Sequence, residues 1–206
     1  MKKGFLITFE GIDGSGKSTQ ARKLQDFLRQ NGIEALLFRE PGGTPEGEKI
    51  REILLDKKSN LTPKSELFLF LASRNILTNH AILPSLEEGK WVIVDRYADS
   101  SVAYQGYGRG VDLELVHKGN REATEGLKPD LTFYIDVTAE EAMKRKRTRD
   151  RMEVSGNFLE KVRKGYLEMV NKEERMVYID GMRSVEEVWR EIKEAVVKRL
   201  LGGEIK

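Results

Sequence analysis

An apolar run, Phe5 to Phe9, leads through Glu10 into Gly11-Ile12-Asp13-Gly14-Ser15-Gly16-Lys17-Ser18, which satisfies GxxxxGKS and opens directly into a stretch of helical spacing. Nothing else in the chain constrains the fold as strongly, because strand, glycine-rich turn and helix in that order make a phosphate cradle, the P-loop. Three glycines let successive backbone N–H groups turn inward around phosphate oxygens, and the helix beginning near Ser18 adds the positive end of its dipole. Lys17 is placed to reach β- and γ-phosphates, and Ser18 to offer a hydroxyl to Mg²⁺.

The remaining segments alternate between short β-rich runs and longer helical stretches, the signature of a parallel sheet built from βαβ units. Strands are expected at Phe5 to Glu10, Ala35 to Arg39, Trp91 to Asp95, Leu131 to Val137 and Met176 to Asp180, each apolar through most of its length, as strands covered on both faces are. Ser18 to Asn31 carries Ala21, Leu24, Phe27 and Leu28 on one stripe and stops at Gly32. Thr138 with Glu141, and Ser184 with Glu187, have capping-box spacing, and Thr62-Pro63 starts another helix. That helix is apolar on more than one side, through Leu67, Phe68, Leu69, Phe70 and Leu71, with Phe68 expected in the core.

No linker, repeat or low-complexity tract divides the 206 residues, so one α/β domain is expected. The 36 Lys+Arg against 34 Asp+Glu leave a net +2, too little for a chain that coats nucleic acid. The absence of cysteine excludes thiolate metal sites and cysteine nucleophiles and agrees with a reducing, cytoplasmic life. No apolar run is long enough for an export signal or a membrane span, so a soluble protein is expected. His80, His117, Trp91 and Trp189 have no partner at ligand spacing and read as structural or surface residues.

The third strand ends in Asp95-Arg96-Tyr97, which puts a carboxylate at the C-terminal edge where ligands of open α/β sheets sit. Asp95 is the natural acid for a magnesium shell, and Arg96 carries a planar fork suited to bridging two phosphates. The guanine-reading NKxD of switch GTPases is absent; Asn171-Lys172-Glu173-Glu174 lacks the final aspartate and is expected in a helix.

The chain resembles the thymidylate kinase family through five ordered blocks that span nearly its whole length. They are Phe9-Glu10-Gly11-Ile12-Asp13-Gly14-Ser15-Gly16-Lys17-Ser18-Thr19, Arg39-Glu40-Pro41-Gly42-Gly43-Thr44, Phe70-Leu71-Ala72-Ser73-Arg74, Asp95-Arg96-Tyr97 through Ser100-Ser101-Val102-Ala103-Tyr104-Gln105-Gly106, and a basic stretch at Lys144 to Glu153. The resemblance implies a P-loop NTPase fold and Mg²⁺-dependent transfer of the γ-phosphoryl group of ATP to dTMP on the way to dTTP, in a homodimer. ATP would lie on Gly11 through Thr19. The acceptor would meet Arg39, Pro41, Arg51, Phe70, Arg74, Arg96, Tyr97, Ser101, Tyr104 and Gln105. By resemblance Arg51 holds the acceptor phosphate, Phe70 stacks on thymine, Arg74 donates to its O4, Ser101 and Gln105 lie near the pyrimidine edge, Tyr104 lies against the deoxyribose, and Asp13 approaches the 3′-hydroxyl or the magnesium shell. From the helix spacing alone Phe70 reads as core; its family position assigns it to the ligand.

Lys144 to Glu153 holds six basic and two acidic side chains, so the rest of the chain sums to −2. On composition this is a nucleic-acid patch or a solvated run. Its place after the fourth strand's helix matches the short mobile lid of nucleotide kinases, about 144–155. Some family members carry a catalytic arginine inside the P-loop, where this chain has Gly14, and others put it in the lid. The second arrangement makes Arg145 and Arg151, assisted by Arg149 or Arg147, the clamp on the transferring phosphate, beside Lys17, Arg96, Asp95 and Asp13. Asp180-Gly181 is expected to start the loop that meets adenine. A deoxynucleoside kinase and a nucleotide-gated switch are the competing readings; Arg51 argues for a phosphorylated acceptor.

Overall fold

The computed structural model describes residues 4–145 and 156–203. Five strands form where the apolar runs lie: β1 Leu6–Glu10, β2 Ala35–Arg39, β3 Trp91–Asp95, β4 Leu131–Asp136 and β5 Met176–Asp180. They pair in the order β2-β3-β1-β4-β5, all parallel, with Phe9 opposite Asp95 and Glu10 opposite Tyr134. The chain thus lays two strands on each side of β1, and the crevice at the C-terminal edge opens beside that strand.

Nine α-helices connect the strands among the described residues: α1 Lys17–Gln30, α2 Pro45–Leu55, α3 Pro63–Leu77, α4 Leu83–Glu87, α5 Ala98–Ser101, α6 Leu113–Ala123, α7 Ala139–Arg145, α8 Gly156–Val170 and α9 Val185–Leu200. Two π-helical segments, Thr78–Ile82 and Val102–Gly108, continue α3 into α4 and extend α5. Strand alternation assigns each face its cover. Ile7, Phe9 and Ile93 pack with Leu24 and Leu28 of α1 and Val188, Ile192 and Val196 of α9. Leu6, Val92 and Val94 point the other way, onto Leu77, Ile82 and Leu86. Beside them Tyr134 joins Phe158, Val162 and Tyr166 of α8. Among the described residues no helix is long and apolar enough to cross a membrane.

The caps work as read. Thr62 accepts from Ser65 N–H, and Ser184 with Glu187 closes both arms of a capping box. Thr138 accepts from Glu141 N–H at 3.2 Å, but the Glu141 carboxylate turns instead to Arg145 at 2.7 Å. Two expectations need correction. Phe68 is 54 % exposed rather than core, because α3 buries its Leu67 face. Asn171 to Glu174 lie outside any helix, in the bend between α8 and β5. The histidines are exposed, and Trp91 and Trp189 pack edge-on against Phe5 and Phe27.

Candidate active site

The loop after β1 wraps around the start of α1. Gly14 and Gly16 adopt φ of +85° and +98°, a left-handed backbone open to glycine at low cost. A Cβ on Gly14 would lie 2.7 Å from the Ala142 carbonyl oxygen of α7, so this arrangement admits no side chain there. Position 14 therefore offers the phosphates no positive side chain, and any arginine that assists Lys17 has to come from another segment. Lys17 is 5 % exposed, donates to the Ile12 carbonyl at 2.9 Å and stands 3.9 Å from Asp13. Burial first, and then Arg96, lower its ammonium to about 8. Asp13, Asp95 and Glu10 offset this only in part, so an anion brought beside Lys17 would favour its charged form.

At the end of β3, Asp95 accepts a very short hydrogen bond from the Ser18 hydroxyl. Two oxygen ligands therefore meet at the mouth of the loop, a donor set that fits a hard cation such as Mg²⁺. Arg96 takes φ +71°. Its Nη2 donates to Asp13, through another very short contact, and to the Tyr104 hydroxyl at 3.0 Å, while Nη1 reaches Ser100 Oγ at 3.3 Å. Its guanidinium lies 4.9 Å from the Tyr104 ring centre.

A continuous cavity of about 490 Å³ runs from the loop into the body of the domain. It is lined by Asp13, Gly14, Gly16, Lys17, Ser18, Thr19 and Asp95 around the loop and by Arg39, Pro41, Arg51, Phe70, Arg96, Ser101, Tyr104 and Gln105 from the end of β2 and the segments that follow β2 and β3. Gly11, Ile12 and Ser15 belong to the loop but do not line the space. The turn after β2 contributes part of this lining. Its Glu40–Pro41 peptide is cis, Gly42 N–H donates to Ser73 Oγ at 3.1 Å, and the Pro41 carbonyl accepts from Arg51 at 2.9 Å. Arg39 pairs with Glu48 at 2.8 Å. The Gln105 amide nitrogen donates to buried Glu66 at 2.9 Å, which leaves its carbonyl oxygen as the group to offer a ligand.

Two expected acceptor residues lie behind the wall. Arg74 is 1 % exposed and all three of its guanidinium nitrogens are engaged: Nε with Glu40 (2.8 Å), Nη1 with Ser101 (3.0 Å) and Asn120 (2.7 Å), Nη2 with the Tyr97 carbonyl (3.0 Å). A buried guanidinium demands this many acceptors, so in this arrangement Arg74 backs Ser101 instead of facing the cavity. Tyr97 is fully buried, with its hydroxyl 3.1 Å from Thr78 Oγ1. Sequence reasoning missed Glu40, which does line the cavity and whose Oε1 is buried without a hydrogen-bond partner among the described residues. Burial outweighs the attraction of Arg74 and pushes the Glu40 carboxyl up to about 7. Its place in the turn after β2, beside Pro41-Gly42-Gly43, was the available signal.

On the remaining side, Arg145 at the end of α7 lines the cavity, donating to Glu141 and, at 3.0 Å, to the Gly181 carbonyl of the Asp180-Gly181 loop. Arg147, Arg149 and Arg151 lie outside the described residues.

The chain is similar to known proteins over most of its length. The thymidylate kinase family model matches residues 9–192. A thymidylate kinase of Thermoanaerobacter sp. (strain X514) is 50 % identical over 202 residues, covering 96 % of this chain and all of the relative. One from Caldanaerobacter subterraneus subsp. tengcongensis is 48 % identical over 207 residues, covering 98 % of this chain and all of the relative. A third, from Thermosipho africanus, is 49 % identical over 198 residues, 95 % of this chain and 98 % of the relative. With a parallel five-stranded sheet, a phosphate loop after β1 and full-length similarity of this kind, the chain belongs to the thymidylate kinase family.

Proposed function

We propose that this chain transfers the γ-phosphoryl group of ATP to the 5′-phosphate of dTMP, giving ADP and dTDP for dTTP synthesis, in the cytoplasm. The observation that carries the reading is one cavity of about 490 Å³ whose lining combines the phosphate loop, Arg96 and most of the residues expected to meet the acceptor. Positioning and electrostatics do the chemistry, with no covalent nucleophile.

In this reading Gly11 to Thr19 hold the triphosphate, with Lys17 on its β- and γ-oxygens. Ser18 and Asp95 would hold Mg²⁺, whose charge offsets that of the phosphates. Arg96 sits between donor and acceptor phosphates, steadied by Asp13, and Arg51 and Arg39 receive the acceptor phosphate. Phe70 stacks on the base, and Tyr104 lies against the sugar where a 2′-hydroxyl would collide. Ser101 and Gln105 read the pyrimidine edge. Because the Gln105 carbonyl is the free end of that amide, it accepts the N3–H of thymine and finds no donor on N3 of cytosine. The C5 methyl contributes only about 1 to 3 kcal/mol, so dUMP is a poorer substrate and dCMP a rejected one.

ADP release with ATP and Mg²⁺ across dTMP, dUMP, dCMP, dGMP and thymidine tests the assignment. The expected order places dTMP first, dUMP roughly 10- to 200-fold behind in kcat/KM, and the others near background. Preference for thymidine over dTMP would establish a nucleoside kinase, and slow hydrolysis indifferent to any acceptor a nucleotide switch.

Arg145, with Arg151 beyond the described residues, is assigned to the lid at 144–155 that closes on the transferring phosphate. Arg145→Ala is expected to lower kcat by at least about 10-fold, short of the 10³ or more of a sole arginine finger, with KM for dTMP changed far less. An unchanged kcat in steady-state assays removes Arg145 from the clamp.

A homodimer is part of the same proposal. Phe68 on α3 and Ile53 on the neighbouring α2 are 54 % and 48 % exposed, large apolar side chains that suit a helix-packed interface. Light scattering at micromolar concentration should give twice 23.6 kDa for the wild type and 23.6 kDa for Phe68→Asp. A wild-type monomer contradicts the dimer.

A further inference from the structure

Glu10 ends β1 one residue before the phosphate loop, is completely buried and does not line the cavity. A carboxylate in such a place is expensive to keep; burial and the nearby Asp99 push it up to about 7. Its surroundings explain what it holds. Oε1 accepts from the Tyr97 backbone N–H at 2.8 Å, and Oε2 accepts from the Ser100 hydroxyl at 2.6 Å and the Tyr166 hydroxyl at 2.8 Å. Tyr97 follows Arg96, whose left-handed φ of +71° is rare for a residue with a side chain. Arg96 N–H still bonds the Phe9 carbonyl at 2.9 Å, so the chain leaves the sheet at the next residue, where Glu10 receives it. Ser100 Oγ, fixed by Glu10, in turn accepts from Arg96 Nη1 at 3.3 Å. One buried side chain therefore fixes both the backbone turn that carries Arg96 and the hydroxyl on which its guanidinium rests.

We propose that Glu10 is a positioning residue for phosphoryl transfer: it locks Arg96 in the left-handed turn and aims its guanidinium between the two phosphates. The proposal rests on the kinase reading above for what Arg96 does. The underlying column of Asp99, Arg175, Thr132 and Thr8, joined by contacts of 2.7 to 2.8 Å, gives the region rigidity without Glu10 and lets the aim be tested separately from the fold.

The test is a double-substitution cycle on the full chain. Glu10→Gln keeps the volume and an acceptor for Tyr97 N–H but removes the charge and one acceptor for the two hydroxyls. It is expected to lower kcat by about 10- to 100-fold, as a slightly misplaced catalytic group does. KM for ATP should stay within about threefold, because the Lys17 hydrogen bond to the Ile12 carbonyl does not involve Glu10 and Glu10 is the smallest of the charges acting on that ammonium. In an Arg96→Ala background the same substitution should change kcat by less than about twofold, since the group it aims is gone. A general loss of structure would multiply through in both backgrounds. Tyr166→Phe, which preserves the stack on Tyr134 at 4.9 Å between ring centres, should lower kcat about threefold in the wild type and not in Arg96→Ala.

A folded Glu10→Gln with kcat within about twofold of wild type, or effects that multiply in the two backgrounds, overturns the proposal. If Glu10→Gln does not fold, Tyr166→Phe decides, and an unchanged kcat overturns it. Wild-type turnover of dTMP is measured first, so failure of the kinase reading shows there, whereas failure of this inference shows only in the ratios.

Discussion

Arg96→Ala should lower kcat by about 10² to 10³-fold, the loss that follows removal of a preorganised positive group from developing phosphoryl charge. The guanidinium is placed by Asp13, the Tyr104 hydroxyl and ring, and Ser100, so it is in position before any ligand arrives. Folding is expected to survive. Alanine carries a Cβ as arginine does, so the strain at φ +71° is the same in both proteins. Asp13, 30 % exposed, keeps access to water when the arginine is gone, so its carboxylate is not left as a fully buried charge. Arg96→Lys restores the charge but not the two-pronged fork, and should recover only part of the rate. Steady-state kinetics beside a melting curve decide the matter; a kcat within about threefold of wild type in a folded Arg96→Ala protein would show that the residue does not act on the phosphates.

The largest stability effect should come from Arg74→Met. The substitution leaves Glu40 buried without its partner, a loss of about 3 to 5 kcal/mol. At about 2 to 4 °C per kcal/mol for a domain of this size, the melting temperature should fall by roughly 6 to 20 °C. Glu40 limits the damage by holding a proton. Burial already raises it from 4.5 to about 7 in the folded protein, so the folded state binds a proton that the unfolded state releases. The stability supplied by that proton is full below the unfolded value and is lost as pH rises to about 7. Without Arg74 the folded value climbs further and the loss continues to higher pH. The gap between wild type and Arg74→Met should therefore be smallest near pH 6 and widen towards pH 8.5. Melting curves across that range that kept a constant gap, or one under 2 °C, would show that the pair is not what holds this wall together.

The same residue shows where reading a sequence stops. Phe70 and Arg74 are four apart on α3 and both belong to the candidate site by motif, yet only Phe70 lines the cavity. Spacing places the two on one helix face but does not say that Asn120 on α6, Ser101 after β3 and Glu40 after β2 converge on the guanidinium from three other elements. Phe68 errs for the reverse reason: an apolar helix face reads as core until its neighbours are known, and on this α3 the adjacent elements cover Leu67 instead. Glu10 is similar, since a lone acid before a glycine-rich turn gives no sign that Tyr97, Ser100 and Tyr166, up to 156 residues away, all donate to it.

What the sequence determined by itself was whatever local chemistry decides. The five strand positions follow from apolar runs, the helix starts at Thr62 and Ser184 from caps, and the phosphate loop from glycine spacing between a strand and a helix. Only the tertiary structure decided which polar groups face the cavity and which stand behind them. That choice is made by buried hydrogen bonds and charge pairs between segments distant in the chain, and their free energy depends on burial and geometry that no short stretch of residues contains.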